Sequence, residues 1–253
     1  MQVTFLGCLG SQQSEKIGNT SLVLKEGSDV LLVDCSGSPS GMLRLVGADP
    51  AALSAVILTH AHIDHLYALP SLLHNMWLAG RKRVLPLFGN RETLEIARKL
   101  CAAFSLEQKS HFFGIEWHEE ESATIGSLRL RFFATDHGFP SRGLVATETN
   151  GTLTYTSDTR PMELPPYACD AAVLVHEASG LSSNEERLRL GGHSSASDAA
   201  RCAKESGAAE LLLCHLPPEK DIRDRMLVEA RGIFQATAIP QTGKWFEVKV
   251  HDA

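Results

Sequence analysis

The sequence predicts an α+β fold in which two β-sheets pack face to face with helices outside them, as one domain over residues 1–253. Two observations predict it. Short aliphatic or β-branched segments arrive in groups with helical segments between the groups, and both halves of the chain repeat that order, as a layered domain requires. No linker, low-complexity tract or fixed-period repeat divides the chain.

Strands are expected at 2–6, 21–25 and 29–34, the last two forming a hairpin that turns at Glu26-Gly27-Ser28. A helical stretch follows near 39–46, then a buried strand, "AVILT", at 55–59. Pro70 suits the first turn of a helix over 70–79. After "VLPLF" comes an amphipathic helix near 90–106, with Asn90 as its cap. Three strands are expected near 123–135, 143–149 and 151–157, and a buried strand at 170–178. A helix over 194–208, a strand at 210–216 and a helix over 219–235 lead to the closing "WFEVKV".

Composition narrows the function. The formal net charge is −6, and the one compact basic cluster, Arg81-Lys82-Arg83, reads as a solvated loop, so nucleic acid is not the favoured partner. No apolar run approaches the roughly 18–20 residues of a membrane span, and "MQVTFLG" reads as a strand, not a signal peptide. Six cysteines lie far apart without a CxxC pair. That pattern suits reduced, buried thiols and a cytoplasmic protein.

The chemistry is concentrated behind the buried strands. "AVILTHAHIDH" sets His60, His62, Asp64 and His65 within six positions. His137, Asp158, His176-Glu177 and His215 each follow another such strand, and strand ends bring distant residues to one rim. Imidazole and carboxylate without thiolate suit zinc or a similar divalent ion in an open, catalytic site, with manganese and iron as alternatives. His60 and His62, two apart in extended chain, face the same way. One ion could take His60, His62 and His137, a second Asp64, His65 and His215, with Asp158 bridging. His74, His111, His118 and His251 have no such setting and read as surface or core residues.

"THAHIDH", "DH" at 136–137, "SDT" at 157–159 and "CHL" at 214–216 resemble the ligand motifs of the metallo-β-lactamase superfamily over nearly the whole chain. The resemblance implies the four-layer αββα sandwich with a two-metal site on one edge. It also implies that Asp34 stands behind the ligands, an end-of-strand role being the other reading. "NTSLVL", "YALPSLL", "YTSDTR", "VHEAS" and "GHSSASDAA" are similar to the ribonuclease Z group. Carried over, Glu177 orients His193 and His193 protonates the leaving oxygen; independently of the resemblance, "GGHSSAS" reads as a helix start capped by Ser194 or Ser195. The sequence departs from that group in four places, one of them "TSDT" where the group has "SGDT". "DCSGS" stands for its "DCGEG" and "LPPE" follows His215, while twenty residues separate His137 from Asp158, enough for a hairpin but not for the arm that clamps transfer RNA.

The expected function is therefore a dinuclear phosphodiesterase: a hydroxide between the ions attacks, Asp64 orients the water and His193 is the general acid. A small or flexible phosphodiester is the favoured substrate. The alternatives are ribonuclease Z itself and a thioester or lactone hydrolase using the same site. "LLHNMWLAG" could cover a homodimer contact, as the resemblance suggests, or simply be a core helix.

Overall fold

The computed structural model describes residues 1–249. The elements, in chain order, are β1 (Gln2–Gly7), β2 (Ser21–Glu26), β3 (Asp29–Val33), α1 (Pro39–Leu45), β4 (Ala55–Ile57), α2 (Ile63–Leu66), α3 (Leu69–Leu78), β5 (Leu85–Phe88), α4 (Arg91–Ala103) and β6 (Ile115–His118). The second half adds β7 (Ser122–Ile125), β8 (Leu128–Thr135), β9 (Ser141–Glu148), β10 (Gly151–Tyr155), β11 (Val173–Glu177), α5 (Glu185–Gly191), α6 (Ala196–Glu205), β12 (Glu210–Cys214), α7 (Lys220–Arg231), β13 (Thr237–Ala238) and β14 (Phe246–Glu247).

Two seven-stranded sheets result, in the orders β14-β1-β2-β3-β4-β5-β6 and β13-β12-β11-β10-β9-β8-β7. Period-2 alternation feeds two cores from the first sheet. Phe5, Leu22, Leu24, Leu31, Val33 and Ile57 face the second sheet, where they meet Leu130, Leu144, Leu153 and Tyr155. Their neighbours Leu6, Val23, Leu32 and Val56 point the other way, onto Leu43 of α1, Leu72 and Met76 of α3 and Leu94 and Ala97 of α4. Ala199, Ala203, Met226 and Ala230 of α6 and α7 belong to the same core as the second sheet. This is the expected αββα layering.

In each sheet antiparallel strands give way to a parallel run: β3 through β6 in one, β10 through β13 in the other. The carboxyl ends of the parallel strands, together with that of β8, converge on one edge. Open α/β sheets generally place their sites beyond such ends. The backbone N–H of Arg142 at the start of β9 donates to the carbonyl of Thr59 just past β4, so the two sheets are tied at this edge.

Several boundaries differ from expectation. The stretch 123–135 is a hairpin, not one strand, because Gly126 turns the chain at φ +57°. α6 is shorter than 194–208. Ser195 and Asp198 close a capping box at its start, and Gly207 with φ +71° lies just beyond its end. β6 and α5 were not foreseen. Of the closing strand only Phe246–Glu247 is paired; Val250 and His251 lie outside the described residues. All six thiols are free, and among the described residues no helix is long and apolar enough to cross a membrane.

Asn90 caps α4 as expected, its side-chain oxygen accepting from the Thr93 N–H at 2.9 Å. Asn90→Ala should therefore lower stability by about 1 kcal/mol. Urea unfolding should show it as a lower midpoint with an unchanged slope.

Candidate metal centre

The segment after β4 stays extended through His62 (φ −66°, ψ 147°) and then enters the single turn of α2. That change of conformation splits the motif. His60 and His62 turn to one side, and Asp64 and His65, already helical, turn to the next. His137 arrives from the end of β8, Asp158 from β10, Glu177 from β11 and His215 from β12.

The structure brings all seven ligand-type side chains together. His62 Nδ1 lies 3.1 Å from both His60 Nε2 and His137 Nε2. Asp158 Oδ2 is 3.6 Å from His60 Nε2 and 4.0 Å from His137 Nε2, which completes one cluster. In the other, His215 Nε2 is 3.2 Å from Asp158 Oδ2 and 3.4 Å from Asp64 Oδ2, and His65 Nε2 is 3.5 and 3.7 Å from the same oxygens. Zinc with bonds of about 2.0–2.1 Å sets tetrahedral ligand pairs roughly 3.4 Å apart, so these spacings suit it. His65 Nε2, His215 Nε2 and Asp158 Oδ1 are buried without a hydrogen-bond partner among the described residues. Such groups are costly to leave unpaired, and a cation is what this donor set would satisfy.

The far nitrogen of each histidine that has a partner there is held by a protein oxygen, which leaves the inward nitrogen free for an ion. His65 Nδ1 reaches Asp34 Oδ2 at 2.8 Å, and His137 Nδ1 reaches the Gly192 carbonyl at 2.8 Å. His60 Nδ1 meets Thr59 Oγ1 at 3.1 Å, and that hydroxyl in turn donates to Asp34. Asp34 thus takes the supporting role behind the ligands. Gly192 is needed as glycine: its φ is +88°, and a Cβ there would stand 2.8 Å from His137 Nδ1.

His193 lies against this set, its ring stacked on His215 at 5.1 Å and tilted to His137 at 5.1 Å. Its Nδ1 is 2.9 Å from Glu177 Oε1, which also accepts the Thr159 N–H at 2.8 Å. Glu177 is fully buried, whereas the His193 side chain keeps 23% of its surface open.

Charge follows burial. Burial pushes His60 well below the ordinary imidazole value, helped by the neighbouring His65. Burial also opposes charge on His65 and His215, but carboxylates together outweigh it: Asp158 and Asp34 at His65, Asp158, Asp64 and Glu177 at His215. His65 is held well above the ordinary value, and His215 rises to about 9. Asp158 is driven well below the usual carboxylate range, since His215 and His65 overcome its own desolvation. Burial disfavours the His193 cation too, yet Glu177 raises its pKa. Without an ion, protons balance the buried carboxylates.

His74 packs on Trp77, His118 stacks on Phe88 and His111 is exposed, all three away from the centre. His176 is buried, its Nδ1 directed to the Glu177 carbonyl at 2.7 Å. Three hydroxyls that the sequence did not single out touch the centre. Thr59 is one. Ser11 donates to Asp64 Oδ2 at 2.9 Å, and Ser179 lies 2.9 Å from both Glu177 Oε2 and His215 Nδ1. A single hydroxyl carries no spacing signal; of these, Thr59 adjoins His60 and Ser179 ends "VHEAS", but the sequence assigns neither a role.

Residues 30–216 match the family model described as "Beta-lactamase superfamily domain". The probable metallo-hydrolase YhfI of Bacillus subtilis is 30% identical over 240 residues, which cover 92% of this chain and 94% of its own. Its crystal structure matches with a TM-score of 0.81 over 97% of this chain and 98% of that one. A ribonuclease Z of Methanothermobacter thermautotrophicus is 26% identical, with 100% of this chain and 98% of its own covered. Human tRNase Z, short form, shares the fold at 20% identity, with a TM-score of 0.82 over 99% of this chain and 100% of that one. Fold and sequence agree, and the chain belongs to the beta-lactamase superfamily.

Proposed function

We propose that this metal-dependent hydrolase is a phosphodiesterase that uses two divalent ions, zinc first among them, on a small or flexible substrate. The observation that carries this reading is the Glu177–His193 pair set against the two ligand clusters. When bound, such ions supply Lewis-acid activation of water and neutralise charge on a phosphoryl oxygen.

The chain's own residues do the rest. Glu177 receives the His193 Nδ1 hydrogen and fixes the ring, so Nε2 is the nitrogen that faces the reacting group and delivers the proton. The raised pKa keeps that proton on His193 at higher pH than an ordinary imidazole would. An alkoxide is a poor leaving group, and a positioned acid lowers its barrier. Asp64, held by Ser11, stands where it can orient the attacking water. Beside His137 opens a cavity of about 720 Å³ lined by Phe133, Phe139, Arg142 and Tyr167, a size typical of small-molecule sites. The net charge of −6 and the short β9–β10 hairpin favour such a substrate over a folded polyanion. The likeness to ribonuclease Z along the chain keeps precursor transfer RNA as the second substrate to assay.

Two outcomes are expected. His193→Ala should keep its metal content yet lose a factor of about 10²–10⁴ in turnover on a diester with an alkoxide leaving group, such as a dinucleotide. It should lose far less on bis(p-nitrophenyl) phosphate, whose leaving group needs little protonation. Equal losses on both would remove the acid role, and efficient, correctly placed cleavage of precursor transfer RNA would displace the small-substrate reading.

Zinc uptake should release protons. His215 holds its proton up to about pH 9 in the metal-free protein, and an ion must displace it. Apparent affinity should therefore rise from pH 6 towards 9 and weaken in acid. Calorimetry in buffers of different ionisation enthalpy would read both effects.

A further inference from the structure

Ser179 lies two residues beyond β11, and its hydroxyl stands between two groups that the proposed mechanism treats separately. On one side is Glu177 Oε2 at 2.9 Å, on the other His215 Nδ1 at 2.9 Å. Counting hydrogens fixes the direction of both contacts. An ionised carboxylate can only accept, and a serine hydroxyl has one hydrogen to give. Ser179 therefore donates to Glu177, and its lone pair receives the hydrogen of His215 Nδ1. With that hydrogen held on Nδ1, the lone pair that His215 can offer an ion is the one at Nε2, the atom that faces Asp158 and Asp64 without a partner.

Glu177 is then a shared acceptor. It holds His193 Nδ1 and the Thr159 N–H through Oε1, and through Oε2 and Ser179 it holds His215. The other supported histidines are served elsewhere: His65 by Asp34, His60 by Thr59 and His137 by the Gly192 carbonyl. Ser179 keeps its place independently of its side chain, because its backbone N–H donates to the Ser194 carbonyl at 2.9 Å.

We propose that Ser179 is a positioning residue that fixes the tautomer of His215 and joins the Asp64–His65–His215 ion position to the acid pair through their common carboxylate. The inference rests on the two-ion reading above. It makes Glu177 serve metal binding as well as proton delivery, so that loss of this carboxylate is felt by both.

The test is a zinc titration of the full chain in chelator-buffered solution, which reads binding without substrate. Ser179→Ala should weaken one of two binding events by about 10–100-fold and leave the other nearly unchanged. Ser179→Thr, which keeps the hydroxyl, should restore the wild-type isotherm, and Glu177→Gln should weaken the same event as Ser179→Ala. An unchanged isotherm in Ser179→Ala would overturn the proposal, as would equal weakening by Ala and Thr, which would mark a packing effect. A wild-type chain that takes up fewer than two ions would overturn it together with the two-ion reading. If the titration behaves as expected but no phosphodiester is hydrolysed, the coupling stands and the phosphodiesterase reading alone falls.

Discussion

Asp158 turns one buried carboxylate oxygen towards His60, His65, His137 and His215 at 3.2–4.0 Å, and the charge balance of that contact governs the centre. A buried carboxylate amid imidazoles needs compensating positive charge. In the metal-free chain protons on His65 and His215 supply it. Ions would supply it instead, and would take up the nitrogen lone pairs that now crowd around His62. The polypeptide is built to keep this contact. Ser157 (φ +56°), His215 (φ +54°) and Asp34 (φ +60°) are all non-glycine residues in the left-handed region. Each such residue costs of order 1–3 kcal/mol, which the surrounding sheets must offset.

Those sheets explain why the strain is tolerated. The centre draws on β3, β4, β8, β10, β11 and β12, and each of these strands is hydrogen-bonded on both sides. Their ends therefore move little relative to one another, and residues as distant in sequence as His60 and His215 meet with ångström-scale consistency. The Arg142–Thr59 backbone bond closes the seam between sheets beside the ligands. Nearby, Gly10 lets the chain pass within van der Waals contact of the His215 ring, since a Cβ there would stand 2.9 Å from it.

The layering was legible because it depends on period-2 alternation, which a strand such as "SLVLK" displays openly. β6 was not. Its four residues, "IEWH", are partly exposed and show no clean alternation, and its register comes from pairing with β5. α5 was hidden for a related reason: "EERLRLG" buries none of its side chains and is fixed by its neighbours. At the site, "HAHIDH" could be read because its ligands are adjacent in the chain, where spacing and chemistry reinforce each other. His137, Asp158 and His215 were legible as a set through their position after buried strands and through family likeness. The hydroxyls were beyond reach. Ser179 matters through two contacts, one of them to a residue 36 positions away, and nothing local in "EASGL" announces them.

Catalytic machinery and substrate choice occupy different parts of this molecule. On the phosphodiesterase reading, ions held by the two clusters would meet the phosphoryl group and His193 the leaving oxygen, contacts that any diester offers. Discrimination must then come from the walls, and the wall beside His137 is specific in character: Phe139 lies 5.7 Å from the His62 ring, and Arg142 is stacked on Phe132. Aromatic rings at such a wall would stack on a planar group of a bound substrate. A chain with the same ligands and a different 138–142 segment would keep the chemistry and change the substrate, which is how one fold serves several hydrolases.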